Sequence, residues 1–567
     1  MLFFLPLLKT NLMQKILLCS LITGAQMIFA QTYEITYQNS FEGKINPNQN
    51  HIISITNSDK TLLFNEKIKN KKADFPFEVN EINRKNNEVS QFAFLNNNEI
   101  VKTSDNTILA KQEFKPTSET GKILGYNVKK AVTSVNSNTI EVWYTNDLKV
   151  KGGPSILGQD LGLVLKTVRN GSSVVEATSV KKIKALDDQS LFNGKNITEK
   201  DALTYKDMIW KSRFITIPVF ENETINFSDA SKSDQVIQRF GNGTIILKKV
   251  KIPEIKQGNT IFVELKQKSN GDAYDRTGDV FIIPQERAIS YYTGLTQGVK
   301  SLPVYQNGNG KSYQGVALTP DYLPFIELMR FFTPFGIGHF NEKIQLKGKN
   351  WHNNTPYRQD ITELRPQLSG KEILIGAFIG NYDKGGHQIS LELSIHPDQQ
   401  KIVNNNFVLP VFNTTNVMEM AGQDYPTMFN SDKGVEVEFI LTKDLKNAQL
   451  RYITTGHGGW GAGDEFVPKE NSIYLDGKLA HAFTPWRTDC GSYRLFNPAS
   501  GNFEDGLSSS DLSRSNWCPG TITNPVYINL GNLNAGKHTI QVKIPQGAPE
   551  GSSQSFWNVS GVLLGQE

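Results

Sequence analysis
The chain has 567 residues, 38% apolar and 20% charged, an ordinary globular composition with length enough for several buried cores. Its 60 basic and 56 acidic side chains leave a net charge of +4. That balance excludes a nucleic-acid binder built on a dense phosphate-contacting surface.

Residues 1–30 read as a secretory signal peptide. Lys9 and Lys15 precede the apolar run of Ile16, Leu17, Leu18, Leu21 and Ile22, and Ala30 offers a small residue at a cleavage point. Met1 and Met13 are alternative starts. The residues ahead of Cys19 are too bulky for a lipid-attachment site, and no later segment is long and apolar enough to span a bilayer. A secreted or periplasmic location is expected. Removal of the peptide takes Cys19 with it. The two cysteines that remain, Cys490 and Cys518, read as a disulfide in an exported protein, worth ~3 kcal/mol on the chain-entropy model.

Residues 31–220 are rich in Lys and Asn, with short alternating runs such as Thr139-Ile140-Glu141-Val142-Trp143-Tyr144. They predict a β-rich or α+β module without a chemical signature, suited to binding or shielding. From about 225 the strand signal sharpens. Thr244-Ile245-Ile246-Leu247 and Ile261-Phe262-Val263 read as buried strands, and Ile389, Leu391, Leu393 and Ile395 alternate with polar neighbours. Val435-Glu436-Val437-Glu438-Phe439 and Ile540-Gln541-Val542 continue the pattern. The stretch from Pro397 to Pro410 reads as a connector. Many short strands between Gly, Pro and Asn turns predict antiparallel sandwiches, over 225–396 and 397–567.

Two acidic, glycine-rich clusters stand beside strands. One is Asn270-Gly271-Asp272-Ala273-Tyr274-Asp275-Arg276-Thr277-Gly278-Asp279; the other runs from Gly456 through His457, Trp460 and Asp464 to Glu465 and Phe466. The disulfide segment, from Trp486 and Arg487 ahead of Cys490 to Arg514, Trp517 and Cys518-Pro519-Gly520, adds two arginines and two tryptophans. Trp460, Trp486, Trp517 and Trp557 crowd the last part of the chain. Aromatic faces stack on sugar rings, which favours a glycan ligand, although a core role is equally suited to Trp557. Metal-ligand spacing, a nucleophile elbow and a phosphate-cradling loop are all lacking.

Four segments in order, Ala273-Tyr274-Asp275-Arg276, Arg330-Phe331-Phe332-Thr333-Pro334-Phe335, Asp464-Glu465-Phe466 and Arg514-Ser515-Asn516-Trp517-Cys518-Pro519-Gly520, resemble the peptide:N-glycosidase F family from about 225 to 567. The resemblance implies a mainly β fold, with two adjacent eight-stranded antiparallel jelly-roll sandwiches behind an extra N-terminal module. It implies an amidase that cuts between asparagine and the innermost N-acetylglucosamine of N-linked glycoproteins or glycopeptides. Asp275 then matches the essential aspartate, Arg276 the arginine beside it, Glu465 a second catalytic glutamate and Arg514 the cleft arginine. Trp517, His457 and Trp460 are expected to bind substrate. The family's third glutamate falls at Ala377-Phe378, so its role is assigned to Glu419, with Asp383 as the alternative. The family's cysteines beside its aspartate and its glutamate are missing here. No cofactor or metal is expected, no nucleic-acid partner, and a monomer. Two other readings stay open: a non-catalytic glycan-binding sandwich, and a glycoside hydrolase using Asp275 and Glu465.

Overall fold
The computed structural model describes residues 31–45, 49–184, 189–193, 195–335, 347–397, 405–458, 463–498, 509–548 and 554–567. The expected signal peptide and Trp460 lie outside the described residues. The chain forms two compact units, divided between Arg213 and Phe214.

The first unit is one sheet of thirteen strands. Thr32–Phe41 sits near its middle, paired on one side with Ile52–Thr56 and on the other with Ser173–Ile183. Neighbouring strands run antiparallel, apart from Asn196–Glu199, which adds to Glu99–Asp105 in parallel. The alternation in Asn138–Thr145 buries Ile140, Val142 and Tyr144 on one face. The helix Ala202–Lys211 begins at Asp201, whose carboxylate accepts from the amides of Leu203 and Thr204. Its Tyr205 and Ile209, one turn apart, pack on Ala93, Leu95 and Val101.

The second unit holds two sandwiches. In the first, a four-stranded sheet in the order Ile215–Ile225, His387–His396, Thr260–Ser269, Thr355–Asp360 faces a six-stranded one. The latter runs Ile237–Phe240, Ile245–Lys251, Glu372–Ile379, Thr277–Ile283, Ile326–Phe332, Ile522–Thr523. Ile389, Leu391, Leu393 and Ile395 fill the core against Ile246, Val280 and Ile375, as their period of two requires. The expected eight strands are exceeded here by short edge strands. One of them, Ile522–Thr523, comes from the far end of the chain and pairs with Arg330 and Phe331. The other sandwich is four on four: Phe407–Asn413, Phe556–Gln566, Leu445–His457, Val526–Leu533 over Val435–Leu441, Gly536–Lys543, Asn471–Leu475, Lys478–Phe483. Leu450, Tyr452, Ile473, Ile540 and Val542 form its core, with Trp557 among them. The two sandwiches share apolar contacts, since Val562 and Leu564 join the core of the first.

Candidate active site at the seam of the sandwiches
Asp275 lies in the loop that enters the strand Thr277–Ile283. Fixed points on either side hold that loop. Thr333 accepts from the Arg276 amide at 2.7 Å and donates to the Tyr274 carbonyl at 3.0 Å. Asp272 is buried and accepts from Arg276 Nε at 2.7 Å and Nη2 at 3.2 Å, with His387 Nε2 3.4 Å away. Burial opposes its charge, yet His387 and Arg276 together hold the Asp272 carboxyl down to about 2. The strand continues through Gly278, where a Cβ would stand 2.3 Å from the Phe331 ring, so no larger residue fits.

Glu465 follows the long strand Leu445–His457 of the second sandwich. Its neighbour Asp464 is fully buried and accepts from Trp557 Nε1 at 2.7 Å and from the Gly547 amide at 2.9 Å. Ser515 donates to the Asp464 carbonyl through its hydroxyl at 2.6 Å and to the Glu465 carbonyl through its amide at 2.9 Å. Asp464 is thus the anchor, and the Glu465 side chain is left to project.

Arg514 joins the two loops. Its backbone exchanges amide hydrogen bonds with Arg487, 2.9 and 3.1 Å, inside the loop closed by the Cys490–Cys518 disulfide. Its Nη1 donates to Glu465 Oε1 at 2.7 Å and to Asp275 Oδ2 at 3.3 Å. Nη2 donates to the Ser509 carbonyl. The guanidinium lies over the rings of Trp517, 4.4 Å to the centroid, and Phe466, 5.0 Å. The arginine side chain is 1% exposed, whereas the carboxyl side chains keep 16% and 19%. A cation thus sits beneath two acids that reach a recess open to water. Burial pushes both acids up, Asp275 to about 6 and Glu465 to about 7, and Arg514 opposes the rise in each. The two share one cation and titrate as a pair.

A second cluster adjoins the first. The Arg276 guanidinium lies over Tyr274 at 4.9 Å and Tyr382 at 5.4 Å. Tyr382 donates to Glu419 Oε1 at 2.9 Å, and Asn416 Nδ2 donates to Glu419 Oε2 at 3.0 Å. Tyr382 therefore links Glu419 to the arginine beside Asp275. Asp383 instead accepts from the amides of Gly385 and Gly386 at 2.7 and 2.8 Å; it closes its own turn and is unsuited to the third acidic role. Ala377 and Phe378 are buried core residues of Glu372–Ile379, so that strand position has no room for a working carboxylate.

Trp517 and His457 sit deeper than a sugar-binding role suggests, at 4% and 5% exposure. Trp517 donates to the Gly456 carbonyl at 2.9 Å and stacks on Phe332 at 4.5 Å. Burial and the nearby Arg330 and Arg514 push His457 down to about 3, so the ring is neutral. Both residues support the recess from below. The sequence marks Asp272, Asp464 and Phe466 within its clusters without a role of their own, and Tyr382 not at all. The spacing of Asp272 and Arg276 was visible, but which acid of each cluster is buried depends on loop packing that no periodicity records. Among the described residues, no group of three or more His, Cys, Asp or Glu is arranged to hold a metal.

Fold and site together place two acids and a shared arginine at the seam of twin β-sandwiches. Family models agree along the chain: "N-glycanase peptide, N-terminal domain" matches residues 35–207, "Peptide-N-glycosidase F, N terminal" 216–395 and "Peptide-N-glycosidase F, C terminal" 424–564. A solved structure of PNGF-II is 99% identical, over 95% of this chain and 98% of that one, with a TM-score of 0.89. The chain belongs to the peptide:N-glycosidase F family. A recombinant peptide:N-glycanase F is 16% identical over 63% of this chain and 96% of that one, with a TM-score of 0.41. PNGase F, a glycosylasparaginase from Flavobacterium meningosepticum, is 16% identical over 62% and 96%, with a TM-score of 0.41. Comparison with curated proteins gave no match.

Proposed function
We infer that the protein is a peptide-N4-(N-acetyl-β-glucosaminyl)asparagine amidase. It hydrolyses the amide bond between asparagine and the innermost N-acetylglucosamine of N-linked glycoproteins or glycopeptides, giving aspartate and a glycosylamine. One observation carries the site assignment: Asp275 from one sandwich and Glu465 from the other meet on a single nitrogen of Arg514.

An amide resists water, so hydrolysis needs a base for the water, an acid for the departing nitrogen and a cation for the carbonyl oxygen. Asp275 accepts the proton as water attacks the side-chain carbonyl carbon. Glu465, whose carboxyl burial also raises, delivers a proton to the nitrogen as the C–N bond breaks. Arg276, fixed by Asp272, faces the charge that develops on the oxygen. Arg514 keeps the two acids at one spacing and limits how far burial raises them. Glu419, through Tyr382, orients Arg276 and the sugar beside it. Every group comes from one chain, so a monomer suffices. The joined cysteines fit export to an oxidising compartment. No helix among the described residues is long and apolar enough to cross a membrane.

Two oxygens on one nitrogen lie within about 6 Å of each other. Carboxyl groups that close sit in the region of both glycosidase geometries, about 5 Å for retaining and roughly 6.5–9.5 Å for inverting chemistry, so spacing does not separate the readings. Product analysis separates the readings. Incubated with an N-glycopeptide in 18O-water, the amidase yields a peptide with labelled aspartate in place of asparagine. A peptide that keeps its N-acetylglucosamine would mean a glycosidase. Asp275→Asn is expected to abolish release without loss of fold; undiminished release removes Asp275 from the mechanism. Raised by burial to about 6 and about 7, the pair should give kcat/KM a bell-shaped pH profile, rising as it loses its first proton and falling as it loses the second. A profile that is flat from about pH 5 to 8 removes the acid–base assignment.

A further inference from the structure
Beneath the recess lies an ion pair that no step of the reaction uses. Glu327 and Arg330, on the strand Ile326–Phe332, are both fully buried. Arg330 Nη2 donates to Glu327 Oε1 at 2.7 Å and Oε2 at 2.8 Å, and Nε to Oε1 at 3.0 Å. Thr415 and Ser560 of the second sandwich donate to the same carboxylate. Arg330 Nη1 reaches the Asn558 carbonyl at 2.7 Å and Thr455 Oγ1 at 3.1 Å. Burying such a pair is expensive, and apolar substitutes often match it in stability, so its contacts call for a reason beyond stability.

Proton counting on Thr455 supplies one. Its oxygen accepts from Arg330, which has no acceptor capacity, so the single hydroxyl proton is free for another partner. That partner is His457 Nε2, 2.8 Å away. His457 Nε2 is then an acceptor, and the neutral ring carries its proton on Nδ1. The ring stacks on Phe556 at 5.0 Å and packs on Trp517 at 5.3 Å. Trp517 carries the Arg514 guanidinium on its face. The contacts form one line from the buried pair to the cation between Asp275 and Glu465.

We propose that Thr455 is a positioning residue: through His457 and Trp517 it couples the Glu327–Arg330 anchor to Arg514, and so fixes the spacing of the Asp275 and Glu465 carboxyls. This rests on the amidase reading given above. The hydroxyl bridges the two groups, as acceptor to Arg330 and donor to His457. It orients the imidazole by choosing its tautomer, and it hands Arg330 a neutral acceptor in place of the ring.

Thr455→Val removes the hydroxyl at nearly constant volume, and Thr455→Ser restores it. For glycopeptide hydrolysis the valine variant is expected to lose roughly 10–10²-fold in kcat, the range for a small misplacement of reacting groups, with KM unchanged and with the serine variant near the wild type. A merely structural Thr455 would instead lower the fraction of folded enzyme and leave the kcat of that fraction alone. A valine variant with wild-type kcat, alongside an inactive Asp275→Asn, overturns the positioning role and leaves the amidase reading standing. An active Asp275→Asn removes Asp275 from the mechanism, and a peptide product that keeps its N-acetylglucosamine defeats the amidase reading itself. The 15N spectrum of histidine-labelled wild-type enzyme tests the proposal without any variant: His457 must show the Nδ1–H tautomer, and an Nε2–H ring overturns it.

Discussion

Asp275 and Asp279 lie four positions apart, and burial gives them different work. Asp275 keeps partial exposure beside Arg514. Asp279 is fully buried against Glu327, and burial followed by the Glu327 charge pushes it well above the usual carboxylate range. Glu327 goes the other way, since Arg330 overcomes the burial that opposes its charge. Asp279 is therefore held as a neutral acid. A group that binds its proton more tightly when folded stabilises the protein fully below its unfolded value of about 3.9 and loses that contribution as pH rises toward the folded value. Asp279→Asn keeps a donor but removes the titration. Its thermal midpoint should gain on that of the wild type as pH rises above about 4, as scanning calorimetry across pH would show; parallel curves would mean that Asp279 is not the group responsible. At this scale the sequence marked Asp275, Glu465 and Arg514 through motifs. It was silent on the roles of Asp272, Asp464 and Asp279, because an acid's burial depends on neighbours that are remote along the chain.

Among elements, the segment between Cys490 and Cys518 has the widest reach. It supplies Arg514 to the recess, and just beyond it Ile522–Thr523 extends the six-stranded sheet of the other sandwich. The disulfide closes a span of 28 residues, for which removal costs ~3 kcal/mol on the chain-entropy model. Replacing both cysteines by serine is expected to lower the denaturant midpoint accordingly and to reduce glycopeptide turnover further than the folded fraction explains, since Arg514 loses its tether. Turnover that tracks the folded fraction would make the bond purely stabilising. Long alternating strands such as His387–His396 were legible because one face must be apolar. Ile522–Thr523 was not, since two residues carry no period.

At the scale of the molecule, the two units each have their own apolar cores, and every residue assigned to the recess lies after position 213. Residues 214–567 alone should therefore release glycans from a short glycopeptide at an undiminished rate; a marked loss would give the first unit a part in catalysis. On folded glycoproteins, the same comparison reads any contribution of the thirteen-stranded sheet to capture or shielding. The sequence suggested a boundary between 220 and 225, whereas the division falls at Arg213/Phe214. The strand Ile215–Ile225 explains the offset. It pairs with His387–His396, yet nothing in its composition separates it from the Lys- and Asn-rich stretch before it. Long-range pairing decides membership, and that is invisible locally.

The placement of the carboxyls at the rim, with the guanidinium underneath, has a thermodynamic corollary. A saccharide seated there covers the last solvent available to both acids, and desolvation strengthens their hold on hydrogen ions. Ligand uptake and proton uptake then reinforce each other, and by reciprocity acidification tightens the sugar's grip to the same degree.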